Sequence, residues 1–138
     1  MTTTTAASAG PQRYQERYPA RPEAARRARL DMASTLKSWG LVHLIEGAEQ
    51  VVTELVANAV EHTDAATVGV SLIRTGEEAV RIVVTDTTRV RPAPAEPSQD
   101  DENGRGLLLV EALAHDWGST LVHGGKQVWA ELRGNGMA

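Results

Sequence analysis

The sequence predicts an α+β domain, a two-layer sandwich in which a mixed, mostly antiparallel sheet carries helices on one face. Two observations predict it. Apolar residues recur at helical spacing in two long stretches, and β-branched runs then come in pairs separated by short polar turns. No internal repeat interrupts this order, and the remaining sheet face is expected to present polar side chains.

Residues 1–17 are rich in Thr, Ala, Pro and Arg without periodicity and read as a disordered tail, with order expected to begin near Tyr18. Strong helix formers run from Glu23 to about Trp39 and stop at Gly40, which reads as a first helix with a glycine terminator. A second helix is predicted from Leu44 to His62, because Leu44, Ala48, Val51, Val52, Leu55, Val56 and Ala59 share one face. Thr67 to Arg74 and Ala79 to Asp86 are β-branched runs separated by Thr-Gly-Glu-Glu, the pattern of an antiparallel hairpin.

From Thr87 to Asn103 the chain carries Pro92, Pro94 and Pro97 and the acidic cluster Asp100, Asp101 and Glu102. That length without periodicity predicts a functional loop, of the kind that serves as a lid. A third helix is expected after Gly104-Arg105-Gly106, with Leu107, Leu108, Val110, Leu113 and Ala114 on its apolar side. Trp117 to His123 and Gln127 to Leu132 then form a closing hairpin around Gly124-Gly125, and residues 134–138 read as a tail. The domain proper is therefore expected over residues 18–133.

Composition narrows the function. A chain of 138 residues with 41% hydrophobic and 23% charged residues fits one folded domain. It has no cysteine, which removes disulfides, thiolate metal sites and cysteine nucleophiles and favours a cytoplasmic location. A net charge of −4 argues against direct nucleic-acid binding. No run approaches the roughly 20 apolar residues that span a bilayer, so no membrane partner is expected. Gly124-Gly125-Lys126 is followed by Gln127 rather than completing a Walker loop, and the histidines lack the His-Glu-x-x-His spacing of a zinc enzyme.

Three segments carry candidate chemistry. On the second helix Glu54, Asn58, Glu61 and His62 fall on a stripe beside the apolar arc. A carboxylate and an amide one turn apart suit metal-assisted phosphate chemistry, the amide oxygen ligating Mg²⁺ and the carboxylate orienting a nucleophile; a solvated helix flank has the same pattern. Asp86 ends an apolar strand where the long loop begins, placed to accept a hydrogen bond from an exocyclic base amine or to cap the turn. Gly104-Arg105-Gly106 opens a helix, where free amides and the helix dipole favour phosphate and Arg105 adds a charge-assisted contact; a flexible helix start reads the same way.

Glu54-Leu55-Val56-Ala57-Asn58-Ala59-Val60-Glu61-His62 resembles the asparagine box of the gyrase, chaperone, histidine-kinase and mismatch-repair (GHKL) ATPase superfamily, in its branch of anti-sigma factor serine/threonine kinases. Val83 to Asp86 resembles the first glycine box and Gly104 to Val110 the second. Trp117-Gly118 and Lys126 to Trp129 look like the branch's closing strands.

The resemblance implies a histidine-kinase-type ATPase fold with ATP and Mg²⁺ as cofactors. It gives Asn58 the metal, Glu54 the activation of an attacking hydroxyl and Asp86 the adenine. Thr88, Gly104, Arg105, Gly106 and Leu107 fall to the nucleotide, and His62 either to the phosphate side or to helix-end packing. It also implies partner switching: a kinase that binds a sigma factor and phosphorylates a serine on a STAS-type anti-sigma antagonist. A homodimer is left open. In one departure, Asp86-Thr87-Thr88 stands where the pattern has Asp-x-Gly, so a β-branched residue replaces a glycine beside the nucleotide and weaker ATP binding is expected.

Overall fold

The computed structural model describes residues 12–87 and 102–134, with the backbone alone for residues 102–107. Residues 1–11 and 135–138, assigned above to tails, lie outside the described residues, as do Thr88 and the loop up to residue 101.

The chain runs β1 (Arg13–Pro19), α1 (Ala24–Ser38), a 3₁₀ turn (Val42–Leu44), α2 (Ile45–His62), β2 (Thr67–Gly76), β3 (Ala79–Asp86), α3 (Glu102–Leu113), β4 (Asp116–Val122) and β5 (Gly125–Arg133). The five strands form one sheet in the order β1-β2-β3-β5-β4, and every pairing among them is antiparallel.

Helix α1 buries Ala24, Ala28, Met32 and Leu36, a four-residue repeat that keeps one stripe inward. It ends in a Schellman arrangement, with Gly40 N–H bonded to the Lys37 carbonyl and Leu41 N–H to that of Leu36. Gly40 takes φ +78°, which only glycine adopts cheaply, and the buried Leu36 and Leu41 accompany the turn. Helix α2 buries Ala48, Val51, Val52, Leu55, Val56 and Ala59, the face that the spacing predicts.

The sheet answers with alternation: Val68, Val70 and Leu72 on β2, Val80, Ile82 and Val84 on β3, and Val128, Ala130 and Leu132 on β5 are all buried. These residues occupy opposed positions across the ladders, so one sheet face and two helices share the core.

The other face mixes Ser71, Thr85, Gln127 and Glu131 with Ile73, Val83 and Trp129. Its central ring is covered from one side by Arg81, whose guanidinium carbon lies 4.5 Å from the Trp129 ring centroid. From the other side Gly118 leaves room for it, since a Cβ there would come within 2.9 Å of the indole. Trp39 and Trp117 pack against the core, as expected of large aromatics.

Strand β1 corrects the reading of residues up to 17 as tail. Its whole length pairs with β2, from Arg13 against Ile73 to Pro19 against Thr67. It is an edge strand, and only Tyr14 and Tyr18 turn buried or half-buried rings toward the core. The Tyr18 hydroxyl donates to Asp31 Oδ2 at 2.7 Å, and the Tyr14 hydroxyl bonds both, so β1 is fastened to α1 by one carboxylate.

Burial first, then the bonds to Tyr14 and Asp31, push the Tyr18 phenol well above its ordinary 10.0; burial also raises Tyr14. The native state therefore keeps protons that the unfolded chain releases in alkali. That stabilisation is fully present below the ordinary phenol value of 10.0 and is lost as pH rises past it. Thermal melts between about pH 8 and 11 should show a falling melting temperature above about pH 10, and the slope should flatten in the Tyr14→Phe/Tyr18→Phe double variant.

Candidate functional site

Helix α2 carries the first two candidate groups on a half-buried border of its apolar face. Glu54 lines a pocket of about 280 Å³ together with Arg29 of α1, Glu49, Gln50 and Thr53 of α2, and Leu109 of α3. Among the described residues its carboxylate has no hydrogen bond or ion pair. Asn58 follows one helical turn later and is also half-buried, with its amide on the same border. His62 is exposed and turns back on its own helix, its Nδ1 2.9 Å from the Asn58 carbonyl oxygen, where an Nδ1–H donates.

The end of α2 is tied to the end of β3. Thr63 and Thr87 share a hydroxyl–hydroxyl bond of 2.9 Å, and each hydroxyl also faces a backbone N–H of the other segment. The helix bearing Glu54 and Asn58 is thus held to the point where Asp86 leaves the sheet. Glu54 and Asp86 nevertheless border different pockets.

Asp86 is buried on the helix-covered face, and the structure gives it a partner that the sequence reading did not name. Lys126 Nζ lies 3.3 Å from Oδ1 and 3.2 Å from Oδ2, with side-chain exposures of 5% for the lysine and 1% for the aspartate. The two residues are directly opposed on β3 and β5. A hairpin read as turning on Gly124-Gly125 leaves Lys126 beside the turn. Strand β5 in fact starts at Gly125, and its buried alternation of Val128, Ala130 and Leu132, carried back by one step, lands on Lys126.

Gly125 itself sits so close to β3 that a Cβ would overlap the Asp86 carbonyl oxygen and come within 2.9 Å of the Thr87 Cα. Backbone cannot retreat as a side-chain tip can. Gly125→Ala is therefore expected to cost about 1–3 kcal/mol in chemical denaturation, by forcing the β3 end away from β5.

Helix α3 begins at Glu102, earlier than expected, so Gly104, Arg105, Gly106 and Leu107 lie in its opening turns rather than ahead of it. The first amides of the helix, which lack intrahelical acceptors, then belong to the segment Glu102 to Arg105. Thr88 lies outside the described residues, so its contact with a nucleotide stays with the sequence reading.

The donor set fits a nucleotide accompanied by Mg²⁺. One hard amide oxygen on α2, a carboxylate a turn away and a helix N-terminus are oxygen and amide groups of the kind that complete a phosphate–Mg²⁺ shell. Among the described residues no three His, Asp or Glu side chains converge to hold a metal by themselves, and Mg²⁺ commonly takes most of its ligands from phosphate and water. No helix among the described residues is long and apolar enough to cross a membrane.

The architecture is a two-layer α+β domain, with the candidate polar groups at the α2 border, the end of β3 and the start of α3. The chain belongs to the histidine kinase-like ATPase domain family, which it matches over residues 18–132. That span takes in every described candidate residue. ATP binding, typically with Mg²⁺, and kinase or ATPase activity are what the family brings to this fold. No curated protein matches the chain significantly.

Proposed function

We propose that the protein is a regulatory serine/threonine kinase of the anti-sigma type, which binds Mg-ATP and phosphorylates a serine on a STAS-type anti-sigma antagonist. The observation that carries the reading is Glu54: a carboxylate that lines a pocket one turn before Asn58 and has no side-chain partner among the described residues. In family members of this branch, the resemblance described above gives that pair the metal and the attacking hydroxyl.

Bound Mg-ATP supplies the phosphoryl group and neutralises its charge. Glu54 would accept the proton of the acceptor serine, whose hydroxyl oxygen would bond to the γ-phosphorus as the bond to the leaving ADP oxygen breaks. The Asn58 amide oxygen would ligate the metal, and the Asp86 carboxylate would accept a hydrogen bond from the exocyclic amine of adenine. Gly104 and Arg105, in the opening turn of α3, would offer backbone amides to phosphate, with Arg105 adding charge and Gly106 and Leu107 following in the same helix start. Phosphorylation of the antagonist releases it and returns the protein to its sigma factor, in the cytoplasm.

Incubation with Mg-ATP and a cognate antagonist, followed by mass spectrometry, tests this. The expected product is acid-stable phosphoserine on the antagonist. Acid-labile phosphate would instead identify a detached histidine-kinase half. A second reading, a binding module that sequesters a sigma factor without chemistry, is favoured by the sequence Asp86-Thr87-Thr88 and predicts no phosphoprotein at any time.

A further inference from the structure

The sheet face turned away from the helices carries charged groups that find no ion-pair partner among the described residues. The Arg81 guanidinium lies on the Trp129 ring, its carbon 4.5 Å from the centroid, and its buried Nε meets no acceptor among the described residues. Glu131 stands directly opposite Arg81 on β5, yet no ion pair joins them, and its carboxylate accepts a 3.3 Å bond from the Thr75 hydroxyl. A cation laid on an indole beside a carboxylate without a cation is the combination that dominates the centres of protein interfaces, where Trp and Arg are enriched.

The register determines what fits this face. Here β3 and β5 oppose Arg81 to Glu131, Val83 to Trp129 and Thr85 to Gln127. Each rung is a complementary pair: cation with anion, apolar with apolar, hydroxyl with amide. A second copy laid face to face, about a two-fold axis parallel to these strands and midway between them, brings β3 of each copy over β5 of the other. Every residue then meets across the interface the residue type that it faces across the ladder. An axis along β3 itself would set Arg81 against Arg81.

Aligned sheets pack about 10 Å apart and are turned by about 30°, within reach of an arginine and a glutamate. A five-stranded face covers on the order of 500 Å², so two copies bury about 1,000 Å², the lower end for a specific interface.

We infer that the protein is a homodimer through this sheet face, with each Arg81 paired to Glu131 of the partner subunit and each Trp129 packed on the partner subunit's Val83. The Glu54 pocket is lined from the helical layer, so the inference stands apart from the kinase reading.

The experiment is sedimentation equilibrium of the full chain across micromolar concentrations, with a melting curve for each protein. The native chain should sediment as a dimer. Arg81→Glu and Glu131→Arg each place like charges at both symmetry-related contacts, and each should raise the dimer dissociation constant by at least about 100-fold. Mixed in equal amounts, the two variants should form a one-to-one dimer within about ten-fold of native affinity, because each supplies the charge that the other lacks.

Within one chain, either change also opposes like charges on neighbouring strands, at a modest cost to folding. Mixing cannot repair a fold, so the rescue reads contact between chains. Should a single variant unfold, Arg81→Glu/Glu131→Arg, in which the ladder neighbours again differ in sign, should dimerise as the native chain does. A native chain that stays monomeric, single variants as dimeric as the native chain, folded variants that remain monomeric when mixed, or a folded monomeric double variant each overturn the inference.

Discussion

Glu54→Ala should lower phosphotransfer to a cognate antagonist by about 10²- to 10⁴-fold, the usual contribution of a positioned general base. ATP affinity and stability should hardly move. The side chain borders a pocket, and among the described residues it has no internal hydrogen bond or ion pair whose loss could unsettle α2. A substitution of that kind changes folding free energy by less than about 0.5 kcal/mol. Single-turnover phosphotransfer beside a denaturation curve separates the two quantities. A variant as active as the native protein removes Glu54 from the chemistry, and one that also loses several kcal/mol shows that the carboxylate has a structural task.

Asp86→Ala should behave in the opposite way and lose stability first. The Lys126 side chain is only 5% exposed, with Asp86 as an ion-pair partner of its ammonium. Leaving a buried charge unpaired costs about 3–5 kcal/mol. For a domain of this size, that lowers the melting temperature on the order of 10–20 °C. The pair itself need not be a net stabiliser, because desolvation of both ions offsets much of their attraction. Asp86→Ala/Lys126→Met should therefore recover most of the loss. A single variant that melts with the native protein would show that Lys126 finds water or another acceptor when Asp86 is gone.

The contrast between these two acids explains how much of the site the sequence disclosed. The placement of Glu54 and Asn58 on one helix border was legible because a helix places residues four apart on one border, and the apolar arc of Val51, Val52 and Leu55 fixes where that border lies. The first helix was legible as a run of strong helix formers stopped by Gly40, and the β2–β3 hairpin as β-branched runs around a short polar turn. Asp86 stood out as a carboxylate closing an apolar strand. Its partner did not, because reading Gly124-Gly125 as the turn places Lys126 at the mouth of a hairpin, where lysine is ordinary. Period-two alternation extended back from Val128 is the signal that finds it.

Strand β1 was hidden by chemistry of another sort. An edge strand pairs through backbone groups along one side, and Arg13, Gln15, Glu16 and Arg17 are exposed, so little apolar patterning marks it. Tyr14 and Tyr18 keep the inward phase, but two rings four residues apart also fit a helix. The shared hydrogen-bond partner, Asp31, lies on the following helix and no local pattern reveals it. The start of α3 was misplaced because glycines were taken to precede a helix that in fact begins at Glu102.

The central claim is that α2 and the end of β3 form a site for Mg-ATP, and titration of the native protein and Asn58→Ala with ATP and Mg²⁺ tests it most directly. The account predicts saturable binding by the native chain and its loss in the variant, with both proteins folded. No binding to the folded native chain at millimolar ATP, or equal binding by Asn58→Ala, would contradict it.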